Sequence, residues 1–387
     1  MLPNRKNRRD KIAEIEKSQI LNPEKVEEEK KQHHRQILFW TAGTVIAVAA
    51  LVYTSFWIIS AIGRANLRSS VIAAPKLENA PVEVEVLPTQ EAAAEWQEGW
   101  VKYKNQIYAY NEDILTFLIM GIDKTKEVKE VKEGTDGGQA DALFLVVLNP
   151  HKDSLSVIGI NRNTMTEIAI YDENGAFVKS IDAQIAVQHG FGNGVEESCE
   201  YQVKAVRHLF YEIPIHGYAA INMDAVVTLT DVIGGIDLTA LEDVRNVKGE
   251  NKNVIIHKGE EVHLDGEKAY AYVRDRDVTE FASADHRLDR QKQFITEYIK
   301  KAKEKTKENI GFPVEVYQQV ISQLTTDVSV DELTYLVSIA KNYNFHDNAF
   351  YSMQGQTVKG EQFEEFYVDE IQLFEMILEV FYEPVSS

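Results

Sequence analysis

The stretch DALFLVVLNPHKDSLSVIGINRNT, Asp141–Thr164, contains two runs of apolar residues on either side of a polar turn. The turn, NPHKDS, is rich in proline, asparagine, aspartate and serine, which favour reversals of the chain. The pattern predicts a β-hairpin whose strands cover about Ala142–Leu148 and Leu155–Ile160. Asp141 then begins one strand and Arg162 follows the other, so we expect both side chains at the same edge of a sheet.

The segments around this hairpin extend the prediction to a layered α/β fold. TFLIMGID, Thr116–Asp123, reads as a buried strand that delivers Asp123 to the same edge of the sheet. GVEESCEYQVKAVRHLFYE has a helical period, and INMDAVVTLTDVIGGIDL reads as a short helix closed by Gly234–Gly235 and followed by a strand. Three further helices are predicted in the C-terminal third, from DRQKQFITEYIKKAKEK, VDELTYLVSIAKNY and DEIQLFEMILEVFY. Alternation of strands and helices along the chain indicates helices layered on a mixed sheet.

The N-terminal part of the chain has the pattern of a membrane anchor. Ile37–Ile62 is a run of 26 residues without a charge, and a helix of that length, about 39 Å, can cross the ~30 Å hydrocarbon layer. We predict a transmembrane helix over 36–62, preceded by a cytoplasmic tail, 1–35. The basic excess of that tail favours an N-terminus inside the cell and a C-terminal domain outside. Residues 63–110 are assigned to an extracellular stalk or linker and 111–387 to the catalytic domain, although globular composition begins at Trp96.

Composition excludes several classes of function. The net charge of −20 argues against nucleic acid as a partner, because proteins that bind phosphate backbones present broad basic surfaces. The single cysteine, Cys199, cannot form an internal disulfide, and we expect it to be a small buried residue. Neither a Cys/His metal motif nor a Gly-x-Ser-x-Gly or P-loop motif is present in the sequence.

Four arginines cluster in AYVRDRDVTEFASADHRLDRQKQF, Ala271–Phe294, although the chain is acidic overall. AYAYVRDR alternates like a strand, which would place Arg274 and Arg276 on one face. ADHRLDRQKQFI has helical character, with Arg287, Arg290 and Gln291 on one side. Arginine offers a flat, forked donor that pairs two oxygens at once, so the cluster is a candidate oxyanion site. The alternative is a surface laced with salt bridges to the interleaved acids, Asp275, Asp277, Asp285 and Asp289.

The order of these motifs resembles the LytR-CpsA-Psr family of bacterial envelope proteins. YVRDR…HRLDRQKQF is similar to the arginine-rich signature of that family, and FLIMGIDKT to its Gly-x-Asp strand end. ADALFLVVLNPHKDSLSVIGINRNT resembles its central hairpin, and INMDAVVTLTDVIGGIDL its Asp-x-x-Gly-Gly-Val segment. The resemblance covers roughly residues 112–380. It implies a three-layer α/β/α sandwich with a mixed central sheet.

The resemblance also implies an activity and its partners. Members are implicated in moving glycopolymers from a polyprenyl (undecaprenyl) pyrophosphate carrier onto peptidoglycan, at the surface of the lipid bilayer. Carried over by position, the pyrophosphate-binding residues are Arg162, Arg274, Arg276, Arg287, Arg290 and Gln291. Asp123 and Asp141 match the acidic positions that hold Mg²⁺, with Mn²⁺ as an alternative. Arg162, Arg276, Arg287 and Asp141 are the catalytic candidates, and the lipid tail would occupy an apolar tunnel between the sheet and the helices.

The sequence departs from the family pattern at the end of the hairpin. The family's Pro-Arg-Asp-Thr is NRNT here, so Asn161 replaces proline and Asn163 replaces aspartate. An amide keeps hydrogen bonding but loses charge and basicity. Asn163 therefore favours the alternative function, a non-catalytic sensor or scaffold that binds polyprenyl phosphate and regulates envelope assembly. For an enzyme, the general base stays open among Asp123, Asp141 and a metal-bound water.

Overall fold

The structure is a computed structural model that divides the 387-residue chain into two compact units, Met1–Ala61 and Ile62–Ser387. It describes residues 53–69, 74–77, 96–97, 99–124, 137–172, 174–248, 252–277, 279–340, 343–346 and 348–385, with isolated positions at 27–28, 31, 50 and 80. In the first unit, residues 53–61 are helical. Most of the predicted tail and transmembrane segment lies outside the described residues. No helix among the described residues is both long enough and apolar enough to span a bilayer.

Besides the helical residues 62–69, the second unit contains seventeen strands and seven α-helices among its described residues. The strands are β1 Trp100–Tyr103, β2 Gln106–Tyr110, β3 Leu115–Ile122, β4 Ala140–Asn149, β5 Ser154–Ile160, β6 Met165–Tyr171, β7 Phe177–Gln184, β8 Gly217–Asn222, β9 Ile236–Thr239, β10 Val244–Arg245, β11 Val254–Ile256, β12 Glu261–Leu264, β13 Leu324–Thr326, β14 Phe350–Ser352, β15 Gly355–Lys359, β16 Glu364–Val368 and β17 Tyr382–Pro384. The helices are α1 Glu196–Leu209, α2 Met223–Ile233, α3 Gly266–Arg274, α4 Ser283–Glu308, α5 Phe312–Val320, α6 Val330–Ala340 and α7 Glu370–Phe381.

The predicted hairpin forms the centre of a six-stranded sheet in the order β13-β8-β3-β4-β5-β14. Strands β3, β4 and β5 pair antiparallel, with Leu115 opposite Leu148 and Leu143 opposite Ile160. Strand β8 pairs parallel with β3, and β14 pairs parallel with β5. The predicted mixed central sheet is therefore confirmed, and so are the three strands that build its middle.

Helices pack on both faces of this sheet. Leu118 and Met120 of β3 belong to a core with α1 and α7, to which Cys199 and Phe374 contribute fully buried side chains. Ile119 alternates to the opposite face and packs near α4. Burial confirms the expectation for Cys199, and it raises the pKa of this thiol well above its ordinary value.

The predicted helices are present, and the predicted glycine stop is confirmed. Helix α2 is capped at its start by Asn222, whose side chain accepts from the amide of Ala225, and at its end by Gly234. Gly234 has φ 81°, a left-handed conformation that carries little cost for glycine. The chain then enters β9, as expected from IGGIDL.

The strand predicted for AYAYVRDR is wrong, because these residues end helix α3. Asp265 caps the helix by accepting from the amide of Lys268. This cap marks a helix start that the strand-like alternation of residue types did not indicate. Residues 269–273 are all buried, so burial here does not follow the two-residue period of a half-exposed strand. Arg274 and Arg276 consequently do not share a strand face.

The predicted linker, 63–110, includes residues that belong to the folded unit. Strands β1 and β2 form a hairpin, and β2 pairs with the C-terminal strand β17. Residues 62–69 are helical, and Leu67 is fully buried beside Leu115 and Phe117. The folded unit therefore begins well before residue 111, because these segments supply apolar surface that its core buries.

Candidate active site

One edge of the central sheet brings together the residues predicted from the hairpin. Asp123 follows β3, Asp141 lies near the start of β4, and Arg162 lies two residues beyond β5. Arg162 donates through Nη1 to Asp141 Oδ1 and through Nη2 to Gln139 Oε1. Asp123 accepts from the Gln139 amide at 2.7 Å. The predicted convergence at this edge is thus present in the structure.

Arg287 joins helix α4 to this edge. Its Nη1 lies 3.2 Å from Asp141 Oδ2, and its Nη2 lies 3.2 Å from the Asp141 carbonyl oxygen. Only 5% of the residue is exposed. The pKa of Arg287 is lowered to about 10, mainly by burial and also by the charges of Arg162 and Arg276, whereas Asp141 opposes the shift. The guanidinium stays charged at neutral pH but lacks the water that would otherwise solvate it.

Arg276 completes a group of three converging arginines. It follows α3, is half-buried, and makes no hydrogen bond or ion pair with a described residue. Its pKa is lowered, first by burial and then by the charge of Arg162. Unsatisfied guanidinium donors that are partly removed from water and repelled by like charges form a favourable site for an anion. We call Arg162, Arg276 and Arg287 the arginine triad.

The other predicted anion ligands have different environments. Arg274 is exposed at the end of α3 and bonds to the Tyr270 hydroxyl. It also lines an apolar cavity that lies beside the triad. Arg290 is buried, and its Nη atoms donate to the carbonyl oxygens of Tyr272 and Asp275. Gln291 donates to the Val273 carbonyl at 3.1 Å. The side chain of Arg290 therefore fastens the end of α3, and its binding of pyrophosphate stays a prediction.

Three of the interleaved acids have side chains that bond to residues outside the arginine cluster. Asp275 and Asp277 both pair with Arg245, at 3.1 and 2.9 Å. Asp285 instead accepts from the side chains of Asn161 and Thr357. Arg245 also lines the apolar cavity beside the triad, although no sequence motif predicts this. Its only sequence signal is its place among the few arginines of the folded unit.

An apolar cavity of about 780 Å³ opens beside the triad. One face of α4 lines it at helical spacing, starting with the polar Arg287 and Gln291 and continuing with Phe294, Ile295, Tyr298 and Ile299. A second apolar cavity of about 460 Å³ continues along α4, and the two share the lining residues Ile119, Val146, Tyr298 and Ile299. Together they form an apolar path along the sheet that begins at a cluster of positive charge.

Asn163 is held in place at the other side of the triad. It is 3% exposed, and its Oδ1 accepts from Gln184 Nε2 at 3.0 Å. Its carbonyl accepts from the Phe366 amide at 2.9 Å. An aspartate in this position would accept the same bond from Gln184, so the amide preserves the local geometry while it removes a negative charge near the arginines.

The two acidic residues have oxygen ligands suited to Mg²⁺. Asp123 and Asp141 both line the apolar cavity at its charged end. The loop before β4 lies close to Asp123 because Gly138, at φ 83°, has no Cβ; an added Cβ would lie 3.0 Å from Asp123 Oδ1. Among the described residues, no group of three or more His, Cys, Asp or Glu side chains could hold a metal ion. Two carboxylates fit an Mg²⁺ site that oxygens of a bound phosphate would complete.

The profile of the LytR_cpsA_psr family matches residues 84–379 of this chain. The chain belongs to this family. The match spans the central sheet, the arginine triad and all the helices that line the cavities, so the predicted resemblance is confirmed.

Two curated relatives carry names that describe a cell-wall reaction. The chain is 29% identical over 192 residues to "Polyisoprenyl-teichoic acid--peptidoglycan teichoic acid transferase TagU" of Halalkalibacterium halodurans, covering 49% of this chain and 54% of the relative. It is 26% identical over 233 residues to the similarly named TagV of Bacillus subtilis, covering 59% of this chain and 54% of the relative. The chain thus spans about half the length of the curated relatives that it matches.

Solved structures share the fold. The crystal structure of protein gbs0355 from Streptococcus agalactiae aligns with a TM-score of 0.56 and 19% identity, over 69% of this chain and 86% of that chain. The crystal structure of B. subtilis TagV aligns with a TM-score of 0.51 and 23% identity, over 69% and 94% of the two chains. These similarities establish a common mixed α/β architecture.

Proposed function

We propose that this protein is a membrane-anchored phosphotransferase that moves a glycopolymer from a polyprenyl pyrophosphate carrier onto peptidoglycan. The observation that carries the proposal is the junction of a long apolar path with the arginine triad. A polyprenyl pyrophosphate has the same two parts, an apolar chain and a dianionic head. The names of the TagU and TagV relatives support the same reaction class.

The lipid part of the substrate would lie along helix α4. From Arg287 to Thr306, which lines the far cavity, the helix rises about 28 Å. That length suits an extended isoprenoid chain, and the lining side chains offer almost no polar groups to it. Burial of each apolar carbon in such a path contributes about 0.8 kcal/mol.

The head group would lie against the arginine triad. Arg276 has donors without a partner among the described residues, and Asp141 holds Arg162 and Arg287 beside it, so the triad can offer donors to phosphate oxygens. In phosphoryl transfer the protein acts mainly by positioning and by neutralising charge on the phosphate and the leaving group. The leaving group in this reaction is polyprenyl phosphate, whose oxygen atoms would remain on the arginines.

Asp123 and Asp141 would hold Mg²⁺, or Mn²⁺, at the same end of the cavity. When bound, the ion would supply Lewis-acid stabilisation of phosphate charge. Asp141 also keeps Arg162 and Arg287 in place, and Asp123 is braced by the Gln139 amide.

The anchor and its orientation rest on the uncharged run Ile37–Ile62 and on the basic residues before it. We expect the N-terminus inside the cell and the catalytic domain outside. Protease added to intact, wall-stripped cells should digest epitopes beyond Ala74 and spare the first 35 residues. Protection of the C-terminal domain would contradict this orientation.

Turnover tests the activity directly. The purified full chain in detergent should release polyprenyl phosphate from a polyprenyl pyrophosphate-linked oligosaccharide when a soluble peptidoglycan oligosaccharide is present, and the two sugars should become linked through phosphate. Tight binding of the lipid without any turnover would favour the sensor or scaffold instead.

A further inference from the structure

A third cavity, which is polar and has a volume of about 510 Å³, lies on the other side of the arginine triad. Arg276 lines both this cavity and the apolar one, so the two meet at that side chain. The polar cavity is also lined by Arg162 and Asn163, by residues that precede α4, and by the hairpin of β15 and β16. A pyrophosphate held by the triad would therefore present its non-lipid side to this space.

The hairpin that forms one wall is held by three hydrogen bonds to residues outside it. The amide of Phe366 donates to the Asn163 carbonyl at 2.9 Å. Gln184 Nε2 donates to the carbonyl of Glu364 at 2.7 Å, and Thr357 Oγ1 donates to Asp285 Oδ2 at 2.7 Å. The position of Glu364, the first residue of β16, is thus set by the Asn163 carbonyl after β5 and by side chains from β7 and α4.

Glu364 presents a carboxylate to the triad. Its Oε1 accepts from the Ala282 amide at 2.8 Å, and no described residue donates to its Oε2. The charge of Glu364 raises the pKa of Arg276, in opposition to burial. Asp141, by contrast, has both oxygens engaged by arginines, and one oxygen of Asp123 is engaged by an amide. Among these three acids, Glu364 is the one that lines the polar cavity, and its Oε2 receives no hydrogen bond from a described residue.

The remaining lining suits a neutral sugar better than an anionic polymer. Glu280, Glu361 and Glu364 bring three negative charges to the cavity, and Lys359 brings one positive charge besides the arginines. Phe281 and Phe363 also line it, with 54% and 66% of each residue exposed. Exposed aromatic rings offer apolar faces to the C–H side of a pyranose, while carboxylates accept hydrogen bonds from its hydroxyl groups.

We propose that the polar cavity binds the acceptor sugar and that Glu364 removes the proton from its attacking hydroxyl. The proposal rests on the phosphotransferase function and assigns the acceptor side of that reaction. The hydroxyl oxygen bonds to the phosphorus next to the polymer sugar, and its proton goes to Glu364 Oε2. The bond from that phosphorus to the bridging oxygen breaks, and polyprenyl phosphate leaves with the electron pair on an oxygen held by the arginines. Glu364 then releases the proton to water.

The test compares two neighbouring glutamates in the full chain in detergent. Glu364→Gln keeps an oxygen that can accept from the Ala282 amide but cannot take the proton. Glu365→Gln is the matched control, because Glu365 lies on the opposite face of β16, where it accepts from the Tyr367 hydroxyl. We expect Glu364→Gln to reduce transfer to a peptidoglycan oligosaccharide about 10²–10⁴-fold, the usual contribution of a general base. Binding of geranylgeranyl pyrophosphate should change less than twofold in both variants, and Glu365→Gln should transfer normally.

Chemical rescue separates proton removal from a structural role. Formate should restore part of the transfer rate in Glu364→Ala, because a small carboxylate can enter the vacated space, and it should have no effect on the wild type. Transfer by Glu364→Gln at the wild-type rate would overturn the assignment while the phosphotransferase function stands. Loss of transfer without rescue, together with a lower unfolding temperature, would show that Glu364 is structural. Absence of transfer in the wild type would instead contradict the function itself.

Discussion

Arg287 is bonded to Asp141 twice, through the carboxylate and through the backbone carbonyl, at 3.2 Å in each case. One residue lies on the helix that lines the apolar path, and the other lies at the start of the central hairpin. The pair therefore fixes the distance between helix α4 and the sheet edge where Arg162 and Asp123 lie. It also lets three arginines converge, because Asp141 offsets part of their mutual repulsion.

The first prediction concerns Arg276, the triad member without a partner among the described residues. Arg276→Ala should weaken binding of a polyprenyl pyrophosphate by roughly 1.5–3 kcal/mol, the scale of hydrogen bonds to a charged group. The unfolding free energy should change by less than about 1 kcal/mol, because the side chain makes no bond that the folded unit needs. Arg276→Lys should restore little affinity, since lysine cannot pair two oxygens at once. Calorimetry and urea unfolding measure the two effects.

Arg207→Ala is the control for this substitution. Arg207 lies on α1 and pairs with Glu212 away from both cavities, so its loss should leave lipid binding unchanged. Equal affinity of wild type and Arg276→Ala would contradict the assignment of the triad to pyrophosphate.

A second prediction contrasts Arg290 with Arg276. Arg290 is 3% exposed and donates to two carbonyl oxygens at the end of α3, besides lying 3.2 Å from Glu242. Arg290→Met should lower the unfolding free energy by about 3 kcal/mol, because it leaves buried acceptors and a carboxylate unpaired. The affinity of folded Arg290→Met for the lipid should change much less than the affinity of Arg276→Ala. A large loss of affinity without destabilisation would restore Arg290 as a direct ligand.

The third prediction concerns the metal. Because only two carboxylates are available among the described residues, Mg²⁺ should bind weakly alone and better when pyrophosphate is present. Asp123→Asn should remove this coupling without unfolding the protein, whereas Asp141→Asn should also destabilise it by leaving Arg162 and Arg287 without a countercharge. Asn163→Asp should leave activity intact or raise it.

Calorimetry with a pyrophosphate analogue, with and without Mg²⁺, measures the coupling. Asp182→Asn, an exposed position on β7, is the control and should behave like wild type. The metal-assisted mechanism is excluded if analogue affinity is the same in both conditions and activity persists in a chelator.

The fourth prediction is a pH dependence of stability caused by His216. Its Nδ1 accepts from the Thr116 amide at 3.0 Å, and burial lowers its pKa to about 4 from an ordinary 6.5. In the unfolded chain His216 is protonated below about pH 6.5, whereas in the folded chain it stays neutral down to about pH 4. The free energy of unfolding therefore falls as the pH falls through this window. The loss should be about 2–3 kcal/mol between pH 7.5 and 4.5.

Urea unfolding at the two pH values, in wild type and His216→Asn, isolates this contribution. The variant should be less stable at pH 7.5 and should lose about 2–3 kcal/mol less on acidification. An identical pH dependence in both proteins would show that His216 does not carry the effect.

The sequence alone determined the central hairpin, the strand before it and the helices with clear periods. In each of these, local propensity and burial pattern agree, so Asp123, Asp141 and Arg162 could be assigned to one sheet edge from the ends of their strands. The positions of Arg287 and Gln291 on one helix followed from the 3.6-residue period in the same way. Family motifs then indicated the chemistry of these positions.

Only the tertiary structure decided how the side chains are used. Arg276 and Arg290 are similar in the sequence, but one has donors free of described partners, while the other fastens the carbonyls at the end of α3. Segment 266–274 became a helix because its cap and its packing outweighed a strand-like alternation. Arg245 and Glu364 line the cavities beside the triad from elements that are distant along the chain, and no local pattern predicts such contacts. That choice depends on burial and on charge neighbours, which exist only once the sheet and helices have packed.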